Sequence, residues 1–255
     1  MNPLRVLILG GTSEASTLAR ALRDDARFAP TLSLAGRTLA PVLPPIPYRI
    51  GGFGGIAGLV DYLRGEAIAA LIDATHPFAA QMTRHAHEAS AETAVKLLRI
   101  DRPAWTPGPG DRWLGVASMA QAAAALGAAP RRVFLTIGQQ ELAPFRAAPW
   151  HHYVIRSVDP PPPDARPPDA DIITARGPFA VADEQALMLA HRIEIVVTKN
   201  AGAAATIAKL EAARALGLPV VMVARPPAPP MPTVATAAAA LDWLAAHAAA
   251  IRRGV

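Results

Sequence analysis

Short, continuous apolar runs alternate along this chain with longer Ala/Leu-rich segments whose apolar residues recur at helical spacing. The runs are Arg5 to Leu9, Thr31 to Ala35, Ala69 to Asp73, Val95 to Ile100, Arg132 to Ile137, Tyr153 to Val158, Asp171 to Thr174, Glu194 to Thr198 and Val220 to Ala224. Between them lie helical patterns at Ser13 to Leu22, Pro77 to Ala91, Phe179 to Arg192 and Ala203 to Leu216. A strand exposed on one face alternates apolar and polar residues, whereas a strand covered on both faces is apolar throughout. The pattern therefore predicts an α/β fold of parallel sheet with helices on both faces. Proline clusters in Pro160 to Pro168 and Pro226 to Pro232 read as stiff extended connections.

The pattern also repeats. Val116, Ala117, Ser118 before the Ala-rich stretch Ala122 to Leu126 is echoed by Val234, Ala235, Thr236 before Ala237 to Leu241. Arg102-Pro103 is echoed by Arg225-Pro226 and strand-end Thr75 by strand-end Thr198, and these two pairs are separated by the same number of positions. Agreement of separate landmarks predicts two stacked α/β units, residues 1–130 and 131–255, with the boundary near Pro130. A ligand is then expected in a cleft between the units, at the C-terminal ends of both sheets.

Composition narrows the chemistry. A chain of 255 residues suits one large or two modest domains, and the absence of cysteine excludes disulfides, thiolate nucleophiles and cysteine metal sites. No apolar stretch is long enough to span a bilayer, and the start lacks the order of a signal peptide, so a cytoplasmic protein without membrane contact is expected. The net charge of +5 comes from scattered arginines. That scatter favours an anionic small molecule over nucleic acid, which calls for a basic face with stacking aromatics.

The most telling stretch is the first strand, which breaks into Gly10, Gly11, Thr12, Ser13, Glu14 and then a helix. Glycines let the backbone turn sharply and approach a ligand, and the free N–H groups of a helix start attract phosphate oxygens. Thr12 and Ala15 stand where a full dinucleotide fingerprint has glycines, so this turn alone is a weak signal. The second strand ends in Gly36, Arg37, Thr38, roughly where NAD-binding folds carry an acidic residue for the ribose. A guanidinium and a hydroxyl suit a 2′-phosphate, so Arg37 and Thr38 point to NADP(H).

Three further strand ends carry polar chemistry. Asp73 leads into Thr75, His76 and Pro77, with Pro77 expected to open the next helix. His76 suits a cofactor contact, a proton donor or a structural helix-terminus histidine. Thr136 and Gly138 form the later counterpart of the glycine turn. Lys199, Asn200, Gly202 and Thr206 form a small-residue turn into a helix, an expected second anion site. No Tyr lies four residues before a Lys, no P-loop ending follows Gly51 to Gly55, and no G-x-S-x-G elbow occurs. His85 with His87 and His151 with His152 are poor chelates, so no metal site is expected.

Taken in order, the Gly10 to Ala15 turn, the Ala35 to Arg37 strand end, Asp73 to Ala79, Arg99 to Trp105, Thr136 to Gly138 and Thr198 to Thr206 resemble the precorrin-6A reductase family of corrin biosynthesis. The resemblance covers nearly the whole chain, although Ala201 and Ala204 stand where relatives are expected to favour serine and glycine. It implies two Rossmann-like domains with a strand exchanged between them. It also implies NADPH as hydride donor, and a tetrapyrrole fringed with acetate and propionate groups as acceptor. Cofactor contacts would fall on Gly10, Gly11, Thr12, Ser13, Glu14, Arg37, Thr38, Thr75, His76 and Pro77. Carboxylate contacts would fall on Arg99, Arg102, Arg176 and Lys199, with Thr136, Gly138, Asn200, Gly202 and Thr206 beside them. The proton comes from water, a side chain or tautomerism of the macrocycle, and no residue is assigned to it. Two other readings stay open: a reductase of the cobalt-containing macrocycle, and a non-catalytic NADP(H)-sensing module.

Overall fold

The computed structural model describes residues 2–36, 38, 43 and 45–253. In chain order the elements begin β1 (Leu4–Leu9), α1 (Ser13–Leu22), β2 (Phe28–Leu34), β3 (Tyr48–Ile50), α2 (Ile56–Gly65), β4 (Ala70–Asp73), α3 (Ala80–Thr93) and β5 (Lys96–Ile100). They continue with β6 (Arg112–Val116), α4 (Met119–Ala124), β7 (Arg132–Thr136), α5 (Ala143–Arg146), β8 (His152–Ser157), β9 (Ala170–Thr174) and α6 (Val181–Ala190). Last come β10 (Ile195–Lys199), α7 (Ala208–Ala215), β11 (Pro219–Val223), β12 (Thr233–Val234) and α8 (Ala237–Arg253). Each expected strand is present, shifted by at most a few residues.

Two compact units result: Met1–Pro103 with Pro226–Val255, and Ala104–Arg225. The first holds a six-stranded sheet in the order β12-β5-β4-β1-β2-β3, the second a six-stranded sheet in the order β6-β11-β10-β7-β8-β9, and all pairings are parallel. Position by position the two orders are the same Rossmann-like order. The repeat seen in the sequence is thus a structural one, with β1 matching β7, β4 matching β10 and β5 matching β11.

The boundary expected near Pro130 is the boundary of the repeat but not of the compact units. Each half of the sequence ends in a strand and helix that complete the other half's sheet. β6 and α4 belong to the second unit, where β6 pairs with β11, and β12 and α8 return to the first, where β12 pairs with β5. The echoed Val116-Ala117-Ser118 and Val234-Ala235-Thr236 mark these exchanged pieces. Ser118 caps α4 by accepting the Gln121 N–H, and the Thr236 hydroxyl accepts the Ala239 N–H at the start of α8.

Burial explains the local choices. Val6, Leu7, Ile8, Ile72 and Leu71 are fully buried because helices cover both sheet faces. α1 and α8 lie over the face carrying Val6, Ile8 and Leu32, presenting Ala15, Leu18, Ala19, Leu22 and Ala240, Leu244, Ala248 at helical spacing. α2 and α3 cover Leu7, Leu9 and Leu71 with Leu59, Leu63, Ala86 and Ala89. In the second unit α6 and α7 cover Phe134, Val154 and Val196 with Met188, Leu210 and Ala213. Pro77 does not open a helix. The Ala79 N–H instead bonds the His76 carbonyl in a tight turn, and α3 starts at Ala80.

Candidate functional site

In each sheet the helices after the two central strands leave to opposite faces, which opens a crevice at the C-terminal strand ends where α/β folds bind ligands. In the first unit that point lies between β1 and β4, where Leu9 stands beside Asp73. In the second it lies between β7 and β10, where Thr136 stands beside Thr198.

The two glycines after β1 serve different ends. A Cβ on Gly10 would lie 2.6 Å from Leu32 Cδ1, so packing against β2 keeps this residue small. Gly11 has φ +116°, and a Cβ there would meet nothing within 4 Å, which leaves its backbone open to a ligand. Thr12 then caps α1. Its hydroxyl oxygen accepts the Ala15 N–H at 3.2 Å and donates to the Ala74 carbonyl at 2.8 Å, tying the β1 turn to the β4 turn. Glu14, in the first turn of α1, would repel a phosphate, but its Oε2 is paired with Arg102 Nη1 at 2.6 Å.

Beneath the β4 turn lies a buried charged cluster. Asp73 Oδ1 accepts from the Thr75 N–H at 3.1 Å and the Thr75 hydroxyl at 2.7 Å. Its Oδ2 accepts from the Thr83 hydroxyl at 2.7 Å and from Arg99 Nη1 at 3.0 Å, with Arg99 also donating to Thr83. Thr75 is therefore held in one orientation, and His76 Nδ1 accepts the Phe78 N–H at 3.2 Å within the same turn. At the sheet's other side, Arg49 on β3 donates to Ser33 Oγ at 2.9 Å and to the Gly51 and Gly52 carbonyls at 2.8 and 2.9 Å. Its guanidinium lies 3.9 Å from the Phe53 ring centroid, which fixes the glycine-rich turn after β3.

The equivalent place in the second unit is built from side chains. Gly138, at φ +81°, opens the short 3₁₀ turn Gln139–Glu141, and Glu141 Oε2 lies 2.7 Å from Lys199 Nζ. Thr136 Oγ1 donates to the Val197 carbonyl at 3.2 Å. The Asn200 amide bridges the backbone of Trp105, accepting its N–H at 2.8 Å and donating to its carbonyl at 2.9 Å. Arg225 donates to the Asn200 and Ala201 carbonyls at 2.9 and 3.2 Å. Gly202, at φ +69°, turns the chain toward Thr206, whose carbonyl accepts from the buried Lys209 Nζ at 2.8 Å.

A family model described as "Precorrin-6x reductase CbiJ/CobK" matches residues 5–245. The chain belongs to this family. A precorrin-6A reductase of Rhodobacter capsulatus is 53% identical over 248 residues, covering 97% of this chain and 98% of that one. One from a Sinorhizobium species is 50% identical over 249 residues, covering 96% and 95%. A solved structure titled "CobK precorrin-6A reductase" superposes with a TM-score of 0.91 at 53% identity, covering 96% of this chain and 97% of its own.

Within this family fold the turn residues Gly10 to Glu14 and Thr75 to Pro77 gather at the first switch point. Thr136, Gly138, Lys199, Asn200, Gly202 and Thr206 gather at the second. Arg37 lies outside the described residues, while Thr38 is half-buried. Three of the four cations expected at substrate carboxylates already hold a carboxylate of this chain. Arg99 is 5% exposed and holds Asp73, Arg102 is 9% exposed and holds Glu14, and Lys199 lies 2.7 Å from Glu141; Asn200, expected beside them, has its amide bound at both ends to Trp105. Arg176 is exposed beyond β9. Sequence reasoning missed Arg49, Thr83 and Lys209, each of which acts through a three-dimensional neighbour. Arg225 did leave a trace, as the echo of Arg102.

Proposed function

We propose that this enzyme reduces one double bond of precorrin-6A to give precorrin-6B, in the cytoplasm, with NADPH as hydride donor. Membership of a reductase family establishes the class of chemistry, and the open backbone of Gly11 at the β1–β4 switch point is the observation that supports a dinucleotide there. The residues fit such a group. Gly11 leaves room for a pyrophosphate, the capped start of α1 offers N–H groups, Arg102 neutralises Glu14, and the strand end at Arg37 and Thr38 suits a 2′-phosphate.

When bound, the nicotinamide supplies the hydride, so the protein's task is to bind, orient and exclude competing water. Thr75, held by Asp73, and His76 border the cofactor turn and fix its shape. Lys199 and the turn to Thr206 take negative groups of the polycarboxylate macrocycle. Arg99 and Arg102 support the cofactor turn from behind, by holding Asp73 and Glu14.

An anaerobic assay with precorrin-6A tests the reading. Loss of nicotinamide absorbance should match precorrin-6B formation one for one, with NADPH strongly preferred over NADH. Nicotinamide binding without oxidation, or oxidation only with the cobalt-containing macrocycle, would overturn it.

A further inference from the structure

Lys209 is a charged side chain placed where charge is costly. It sits in the first turn of α7, is 4% exposed, and packs in the second unit beneath the Lys199 to Thr206 turn. A helix start disfavours a cation, and burial removes the ammonium's hydration. Its Nζ donates to the Thr206 carbonyl at 2.8 Å and lies 5.0 Å from the Trp105 ring centroid. Trp105 is the residue whose backbone the Asn200 amide bridges. One ammonium therefore joins the end of the turn, at Thr206, to the partner of its beginning, at Asn200.

The surrounding charges do not neutralise it. Arg156 on β8 and Glu184 on α6 face it, but they are buried with each other, Arg156 Nη2 donating to Glu184 Oε2 at 2.9 Å. Arg156 is also stacked on Phe179 at 3.7 Å. On its own helix Glu211 and Arg214 face solvent, and Arg214 is held by Asp111 at 2.8 Å. Burial, with Arg156 adding to it against a smaller opposing effect of Glu184, pushes the lysine down to about 7.

We propose that Lys209 is a positioning residue for the substrate turn, retained at a cost in stability because its ammonium locks Thr206 and Trp105 in the geometry that receives the macrocycle's carboxylates. The proposal rests on the reading that the Lys199 to Thr206 turn binds substrate. A packing role alone would be served better by methionine, which fills the same space with no charge to desolvate.

The test compares wild-type enzyme with Lys209→Met and Lys209→Gln, the latter keeping an N–H donor without charge. In the wild type kcat/KM for precorrin-6A should fall as pH rises through about 7, the range in which Lys209 loses its proton. Lys209→Met should lower kcat/KM about tenfold at pH 6, the equivalent of one hydrogen bond, and show no inflection near neutrality. Lys209→Gln should also lack the inflection while recovering part of the rate. Urea unfolding of Lys209→Met at pH 6 should show equal or greater stability than wild type, which separates lost positioning from lost fold. Wild-type rate and pH profile in Lys209→Met would overturn the proposal. Destabilisation at pH 6 that accounts for the lost rate would do the same. Lys199→Ala separates the two claims: full activity there refutes the substrate turn itself, whereas impaired Lys199→Ala beside normal Lys209→Met refutes only the role of Lys209.

Discussion

The two switch points occupy the same place in the same strand order, yet they are made of opposite materials. After β1 the chain offers bare backbone: Gly11 is open, Thr12 caps a helix start, and the nearby charges Arg102–Glu14 and Arg99–Asp73 are already paired. After β10 it offers side chains, with Lys199 likewise paired to Glu141, Asn200 on Trp105, Arg225 on two carbonyls and Lys209 beneath. A duplicated scaffold thus repeats the place where α/β folds bind ligands. On the proposed reading, the choice between backbone donors and side-chain cations decides between a pyrophosphate in one case and carboxylates in the other.

The contrast is sharpest for buried charge. Asp73→Ala would leave the buried Arg99 guanidinium with only the more distant Asp101 carboxylate, 3.8 Å away, and should cost the first unit about 3 kcal/mol in urea unfolding. Lys209→Met removes a buried charge from the second unit and should not destabilise it. Because Lys209 titrates near 7 in the folded chain and near 10.5 when unfolded, the unfolded state holds more protons between those values. Wild-type stability should therefore rise with pH across that window, and the variant's advantage should be largest below pH 7 and fade toward pH 10. An advantage that grows with pH would break the comparison.

Smaller effects separate the ligands. Arg37→Ala should weaken NADPH binding by about 1.5–3 kcal/mol, the range for a charged hydrogen bond, with NADH nearly unaffected. Equal loss for both would make Arg37 structural. Lys199→Ala should lower kcat/KM for precorrin-6A about tenfold, and added salt should mimic part of that loss in the wild type. Kinetics insensitive to both the substitution and salt would leave Lys199 as a partner of Glu141 with no part in binding substrate.

Much of this was legible because central strands are covered on both faces. β1, β4, β7, β10 and β11 read as apolar runs, and β8 as a shorter one, Tyr153 to Ile155, before Arg156. Among the edge strands β9 was legible, and β3, β6 and β12 were not, since residues such as Tyr48, Ile50 and Leu114 are half-exposed there and short strands carry no apolar stretch. The turns were found from glycine and strand-end logic alone. What the arginines do was hidden, because Arg99 and Arg102 look like free cations until the fold brings Asp73 and Glu14 to them. The exchange of the last strand and helix was equally hidden from local pattern, since it moves the unit boundary without altering any element.

The division of labour between the two turns is tested most directly by titrating NADPH against Gly11→Val and Lys199→Ala side by side, with circular dichroism and urea unfolding confirming that both are folded. A side chain at Gly11 would fill the open space beside the backbone, whereas Lys199 lies in the other unit's turn. The account predicts that NADPH affinity is lost in Gly11→Val and stays at the wild-type value in Lys199→Ala. Unchanged affinity in folded Gly11→Val, with loss in Lys199→Ala, would contradict it and place the cofactor on the second unit.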